Sequence, residues 1–255
     1  MTDAAPPANP PANPLANPTA AILVIGDEIL SGRTRDSNLH FLAGELTRVG
    51  INLREARVVA DDPAAIVGAV RALASAHDHL FTSGGIGPTH DDITADCVAE
   101  AMGATIDVRE DARAVLAAHY ERMGVAMNEA RLRMARIPEG AALIDNPVSA
   151  APGFSLGNVH VMAGVPRIFE AMVAGLLPTL AGGRPLLSQS YRIARGEGEI
   201  AGPLRALAEA YPDLLMGSYP YQGPDGGYGA NVVIRGQDGA RVGEAMARLA
   251  ALFPA

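Results

Sequence analysis

The sequence predicts an α/β protein: a mostly parallel sheet covered by helices, followed by a small α+β subdomain of βαββα order. Three observations carry this reading. Continuous apolar runs ending in glycine, "AAILVIG" at 20–26 and "NVHVMAG" at 158–164, have the composition of strands buried on both faces of a parallel sheet. Segments with helical apolar spacing alternate with them. After "AGGRP" at 181–185 the rhythm changes to alternating strands of the half-exposed kind.

Taken in order, residues 1–19 repeat Ala-Asn-Pro and lack the basic and apolar regions of a signal peptide, so they read as a disordered tail. "AAILVIG" is the first central strand. Leu39, Leu42, Leu46 and Val49 recur at helical spacing, with Gly50 as the stop. "LREARVVAD" is the next strand. Asp62 before Pro63 makes an N-cap and first-turn pair for a helix carrying Ile66, Val70 and Leu73. "DHLFTSGG" returns as a strand, and a glycine loop leads into a helix bearing Ile93, Cys97 and Met102, stopped by Gly103. Residues 109–136 read as two helices broken near Gly124, and Ile168, Met172 and Leu176 place another helix after the 158–164 strand. The main domain therefore spans 20–181. The subdomain, 185–255, begins with "LSQSYRIAR", continues through a helix around 200–210 and strands at "LLMGSYP" and "GANVVIRG", and closes with a helix bearing Val242, Met246 and Leu249.

Composition narrows the function classes. The chain has 255 residues, 49% hydrophobic and 19% charged, enough for a sizeable core. A net charge of −8 argues against a nucleic-acid-coating protein, which shows a basic face or stripe. The lone cysteine, Cys97, excludes an intrachain disulfide framework, and its place on an apolar helix face makes it a small buried hydrophobe. No apolar run approaches the roughly 18 residues of a transmembrane helix, so the expectation is a cytoplasmic protein without membrane contact.

The chemistry gathers at "LFTSGGIGPTHDD", residues 80–92. Gly84, Gly85 and Gly87, with Thr82 and Ser83 before them and Thr89 after, bring bare backbone N–H groups to a strand's carboxyl end, where anions bind. The pattern is neither a P-loop nor a complete dinucleotide fingerprint. A tight strand-to-helix turn is the plainer alternative. Asp91 and Asp92 suit either the following helix's dipole or a cation. Asp61 ends a strand at the same edge, since Asp62 is taken as the cap, and Glu28 of "GDEILSG" follows the first strand there. Carboxylates beside a phosphate cradle conflict unless a divalent cation lies between them; Asp61 and Asp92 are its expected ligands. Asn38 either caps the next helix or faces the site, and His90 is read as a solvated loop residue.

Five stretches together resemble the molybdopterin-binding MoaB/Mog domain family: "GDEILSG" with Asn38, "VVAD" with Asp61, "TSGGIGPTHDDIT", "NPVSAAPGF" at 146–154 and "AGVPRIFEAM" at 163–172. Within it they are similar to the branch at the N-terminus of competence/damage-inducible protein A (CinA) and of eukaryotic FAD synthetases. The appendage, with Glu197 or Glu199 before a helix and then "GSYP", is similar to the segment that follows the domain in that branch. The resemblance implies a three-layer fold that binds a nucleotide or phosphorylated pterin such as molybdopterin, and a homo-oligomer, dimer or trimer. Asp92, Asp61 and Glu28 carry over as catalytic residues. Thr82, Ser83, Gly84, Gly85, Gly87, Asn38, Asn146, Pro152 and Gly153 carry over as substrate-binding ones. The CinA branch implies hydrolysis of a nucleotide pyrophosphate with magnesium, manganese or cobalt; adenylyl transfer to molybdopterin and ligand carriage without turnover are the alternatives. Ile86 departs from the hydroxyl residue usual in the molybdopterin branch, and Ala163 from a proline before "GVP". The C-terminal deamidase domain of full-length CinA proteins is not found in the sequence, so its activity does not carry over.

Overall fold

A computed structural model describes residues 17–222 and 226–254. The expected tail ends earlier than residue 19. Asn17 is buried, and Thr19 opens the first strand with its N–H and hydroxyl on Asp78. Residues 1–16 lie outside the described residues.

The chain forms two compact units that divide between Gly183 and Arg184. In the first, β1 (Thr19–Ile25) is followed by the short α1 (Asp27–Leu30), α2 (Asn38–Arg48), β2 (Asn52–Val59), α3 (Pro63–Ala76), β3 (His79–Ser83) and α4 (Thr94–Met102). Local chemistry explains these boundaries. The Asp62 carboxylate accepts from Ala65 N at 2.8 Å and Pro63 takes the first turn, so α3 starts where a cap and a preset φ coincide. Gly103 ends α4 at a φ of 69°, a left-handed value that glycine adopts without penalty.

Beyond α4 come β4 (Ile106–Val108), α5 (Glu110–Arg122), α6 (Glu129–Arg133), β5 (Arg136–Pro138), β6 (Ala142–Ile144), β7 (Gly153–Leu156), β8 (Val159–Met162) and α7 (Pro166–Leu176). The main sheet runs β2-β1-β3-β8-β7-β6. Its first four strands are parallel, and β7 and β6 each pair antiparallel with the strand before them in that order. Alternate residues of β1 enter different cores. Ala21, Leu23 and Ile25 pack with α3 and α4 residues such as Ile66, Val70 and Val98; Ala20, Ile22 and Val24 pack with Leu42 and Leu46 of α2 and Phe169 and Met172 of α7. A strand that feeds both cores must be apolar at every position, which is why "AILVI" reads as a continuous run. The result is the three-layer, mostly parallel α/β fold the sequence predicts. The three-residue strands β4, β5 and β6 are additions that periodicity does not reveal, and β5 leaves α6 only five residues.

The second unit contains β9 (Leu187–Ile193), α8 (Glu197–Ala210), β10 (Leu215–Gln222), β11 (Tyr228–Gly236) and α9 (Gly239–Leu252). Its antiparallel sheet, ordered β10-β11-β9, gives the expected βαββα subdomain. Glu197 and Glu199 lie in the first turn of α8, and Ser218 of "GSYP" donates to Glu197. Among the described residues no helix is long and apolar enough to cross a membrane.

Candidate active site

The carboxyl ends of β1, β2, β3 and β8 deliver their following loops to one cleft of about 520 Å³. Sheet topology alone puts the cleft there. The loop after β3 is its floor. Gly84 has a φ of 111° and a side chain there would meet Ile25 O at 2.2 Å; Gly85 has a φ of 68° and would meet Thr94 Oγ1 at 2.1 Å. These two positions admit only glycine. Thr94, first residue of α4, fastens the loop by donating its hydroxyl to Gly84 O and its N–H to Gly85 O, both at 3.0 Å. A Cβ on Gly164, after β8, would stand 3.1 Å from Gly84 Cα, so the two loops touch backbone to backbone.

The N–H of Gly84 is bonded to Met162 O. Those of Gly85, Ile86 and Gly87 find no partner among the described residues. Three successive N–H groups on the cleft wall are thus left for solvent or a ligand, which a simple tight turn does not require.

Carboxylates surround it. Glu28, Asp61, Asp91 and Asp92 line the cleft, and among the described residues no lysine or arginine does. Asp61 Oδ2 accepts the N–H of Asp27 at 2.9 Å. Burial raises the Asp61 carboxyl above its ordinary range, the Asp27 N–H opposes this, and the charges of Asp27, Glu28 and Asp91 add to the rise. Gly26 makes room for Glu28, because a Cβ there would lie 2.5 Å from the Glu28 carboxylate. Asp92 Oδ2 accepts from the N–H of Thr89 at 2.8 Å and from its hydroxyl, an arrangement that orders the loop tip. Arg133 donates to the Asp92 carbonyl from outside the cleft.

The structure thus brings together Glu28, Asp61, Asp92, Gly84, Gly85, Gly87 and Asn146 on the cleft wall. Asn146 is there as an organiser of its loop: Oδ1 accepts from the N–H groups of Val148 and Ser149, and Nδ2 donates to Ser149 Oγ and Ala151 O. Its capacity is spent on the chain itself. The remaining residues expected to bind substrate stand behind the wall. Thr82 is fully buried, and Ser83 is buried and accepts from Asn38. Asn38, in the first turn of α2, neither caps that helix nor reaches the cleft. Its Nδ2 donates to Ser83 Oγ at 2.7 Å and Gly164 O at 2.8 Å, joining α2 to two site loops. Pro152 is buried outside the cleft, and Gly153 is a packing glycine whose Cβ would meet Val161 O at 2.2 Å. Conversely, Thr34 and Met134 line the cleft without any local signal in the sequence. Asp91, which the sequence left between a helix acid and a cation ligand, bears electrostatically on Asp61.

A ligand-binding α/β domain with its site at the strand ends is the class these features define. The pattern of the family described as "probable molybdopterin binding domain" matches residues 21–182, so the chain belongs to the molybdopterin-binding domain family. The region 185–255 matches the "FAD synthase, middle domain". The chain is 35% identical to the protein CinA of Thermoplasma acidophilum, whose crystal structure is described as of unknown function; the match covers 63% of this chain and 98% of that one, with a TM-score of 0.59. It is 36% identical over 211 residues to a protein of Pyrobaculum calidifontis, covering 79% of this chain and 80% of the other. A probable FAD synthase of Caenorhabditis elegans is 34% identical, across 79% of this chain and 44% of that protein. The CinA-type resemblance read from the five motifs therefore stands.

Proposed function

We propose that the cleft hydrolyses a nucleotide pyrophosphate, such as ADP-ribose or a dinucleotide, with a divalent cation. The observation that carries this reading is the pairing of three unbonded N–H groups with an acidic lining that holds no basic residue. An anion entering four carboxylates alone would be repelled; a cation reconciles the two halves.

The donor set fits such an ion. All the ionisable donors on the wall are carboxylate oxygens, the ligands that magnesium and manganese prefer. Among the described residues no group of three or more His, Cys, Asp or Glu side chains is placed to hold a metal ion by itself. Asp61 and Asp92 would hold the ion, with water and substrate phosphate supplying the rest, the habit of magnesium. When bound, the cation would neutralise phosphate charge and make water a better nucleophile at neutral pH. The protein's own groups do the positioning. The N–H groups of Gly85, Ile86 and Gly87 seat a phosphate, and Asp27 N–H and Thr89 each fix one carboxylate oxygen of Asp61 and Asp92, leaving the other oxygen of each for the ligand. Glu28 supports the ion or a substrate hydroxyl.

A second reading is adenylyl transfer to molybdopterin, supported by the family description of residues 21–182. It uses the same cradle and acids. Ile86, where a hydroxyl would add a phosphate donor, tilts the balance to hydrolysis. Product analysis separates the two: hydrolysis of ADP-ribose consumes water and gives AMP and ribose 5-phosphate, and Asp92→Asn abolishes it. Unchanged turnover in Asp92→Asn would remove that residue from the reaction, and a copurifying fluorescent pterin would favour transfer.

A further inference from the structure

A small hollow adjoins the cleft where β5 and β7 pass the glycine loop. It shares Gly85, Ile86, Gly87, Asp92 and Met134 with the cleft and adds Arg133 and Arg136 to them. With five wall residues in common, the two are neighbouring parts of one depression. The hollow therefore brings to the glycine loop the cationic side chains that the cleft lacks.

The basic residues near the loop are not equally free. Arg136 is paired with Asp96. Arg131 donates to Ala126 O and lies over the Tyr120 ring at 4.7 Å. His90, within the loop, stands 3.9 Å from the Asp91 carboxylate. Arg133 is exposed and, among the described residues, has no carboxylate partner. Its contact is a long hydrogen bond of 3.3 Å from Nη2 to Asp92 O. The plain reading makes it a cation at the C-terminal end of α6. That helix has only five residues, and among the described residues the guanidinium bonds to the Asp92 carbonyl and to no carbonyl of α6.

We infer that Arg133 binds the second phosphate of the substrate and so selects diphosphates over monophosphates. The inference rests on reading the cleft as a pyrophosphate site. With one phosphate on the N–H groups of Gly85, Ile86 and Gly87, the next follows through a single bridging oxygen and stays beside the same loop. Charge calls for a further cation there. One divalent ion offsets two of the four carboxylate charges on the wall and leaves two to oppose the phosphates. The hollow, about 20 Å³, holds about one water, so the phosphate remains in the cleft and the arginine comes to it. Arg133 gives up one long hydrogen bond to a neutral carbonyl and gains charge-assisted bonds to phosphate oxygens, for which the planar guanidinium is shaped. Arg136 is a poor substitute, because the same move would strip Asp96 of its partner.

Calorimetric titration of the full chain with α,β-methylene-ADP and with AMP, both in magnesium, tests the inference without any need for turnover. The wild type should bind the diphosphate at least about tenfold more tightly than the monophosphate, and Arg133→Gln should bring the two within about threefold. Arg133→Lys keeps the charge and should keep most of the preference. The melting temperature of Arg133→Gln should match the wild type, since the side chain is exposed. Equal affinity of the wild type for the two probes, or an equal loss for both in Arg133→Gln, overturns the phosphate contact while the cleft remains a nucleotide site. An equal loss would mean that Arg133 acts only by steadying the Asp92 loop. No binding of either probe by the wild type would remove the pyrophosphate reading of the cleft, and this inference with it.

Discussion

The two ends of the main sheet are built from the same strands and differ in almost every physical respect. At the amino end polar groups are paired. Thr19 N and Oγ1 donate to Asp78 at 2.8 and 2.7 Å, Asn158 Nδ2 donates to the carbonyls of Ala74 and His77, and His79, His160 and Ser155 form a hydrogen-bonded chain with contacts of 3.1 and 2.8 Å. At the carboxyl end, among the described residues, three N–H groups have no protein partner, four carboxylates share one cleft without a cationic side chain, and two glycines hold conformations closed to other residues. The amino end satisfies itself; the carboxyl end is completed by a ligand. Crowded like charge is a cost to the fold alone, and it falls where the proposed chemistry needs it.

The comparison breaks most visibly at Asp61. Asp61→Asn should lower ADP-ribose turnover about a hundredfold or more while leaving the melting temperature unchanged or higher, because it removes a carboxylate crowded by like charge. A matched loss of activity and stability would show Asp61 to be structural. Next comes Gly85→Ala, which combines a left-handed φ with a 2.1 Å approach to Thr94 Oγ1 and should cost about 2 to 3 kcal/mol in chemical denaturation. A near-neutral variant would contradict the fastening of the loop by Thr94.

The amino end sharpens the contrast through pH. Burial, then the neighbouring His79, pushes the His160 imidazole down to about 4, below its ordinary value near 6.5. The unfolded chain then binds the proton more readily, so the stabilisation is complete above about pH 6.5 and is lost as pH falls towards 4, by about 2 to 3 kcal/mol. Melting curves across that window should slope in the wild type and flatten in His160→Asn; equal slopes would rule out His160 as the source. Smallest is Asp78→Ala, worth about 1 kcal/mol for two hydrogen bonds at a partly exposed site, measured by thermal melting at neutral pH.

Much of this was legible in the sequence because periodicity and punctuation act locally. The doubly buried runs gave β1 and β8, the Asp62-Pro63 pair gave the start of α3, and Gly103 gave the end of α4. The short strands β4 to β6 escaped because three residues cannot establish a period. In the site, the glycines and acids at strand ends were readable from topology, whereas side-chain direction was not. Thr82, Ser83 and Asn38 sit beside the loop in sequence or motif and point into the packing behind it. Met134 and Thr34 reach the cleft only through the three-dimensional path of their loops.

The most direct test is chromatographic measurement of AMP released from ADP-ribose by the wild-type protein in EDTA and then with magnesium, manganese or cobalt. The cleft described here predicts no turnover in EDTA and turnover restored by a divalent cation. Turnover of equal rate in EDTA, or none with any of the three ions, would contradict it.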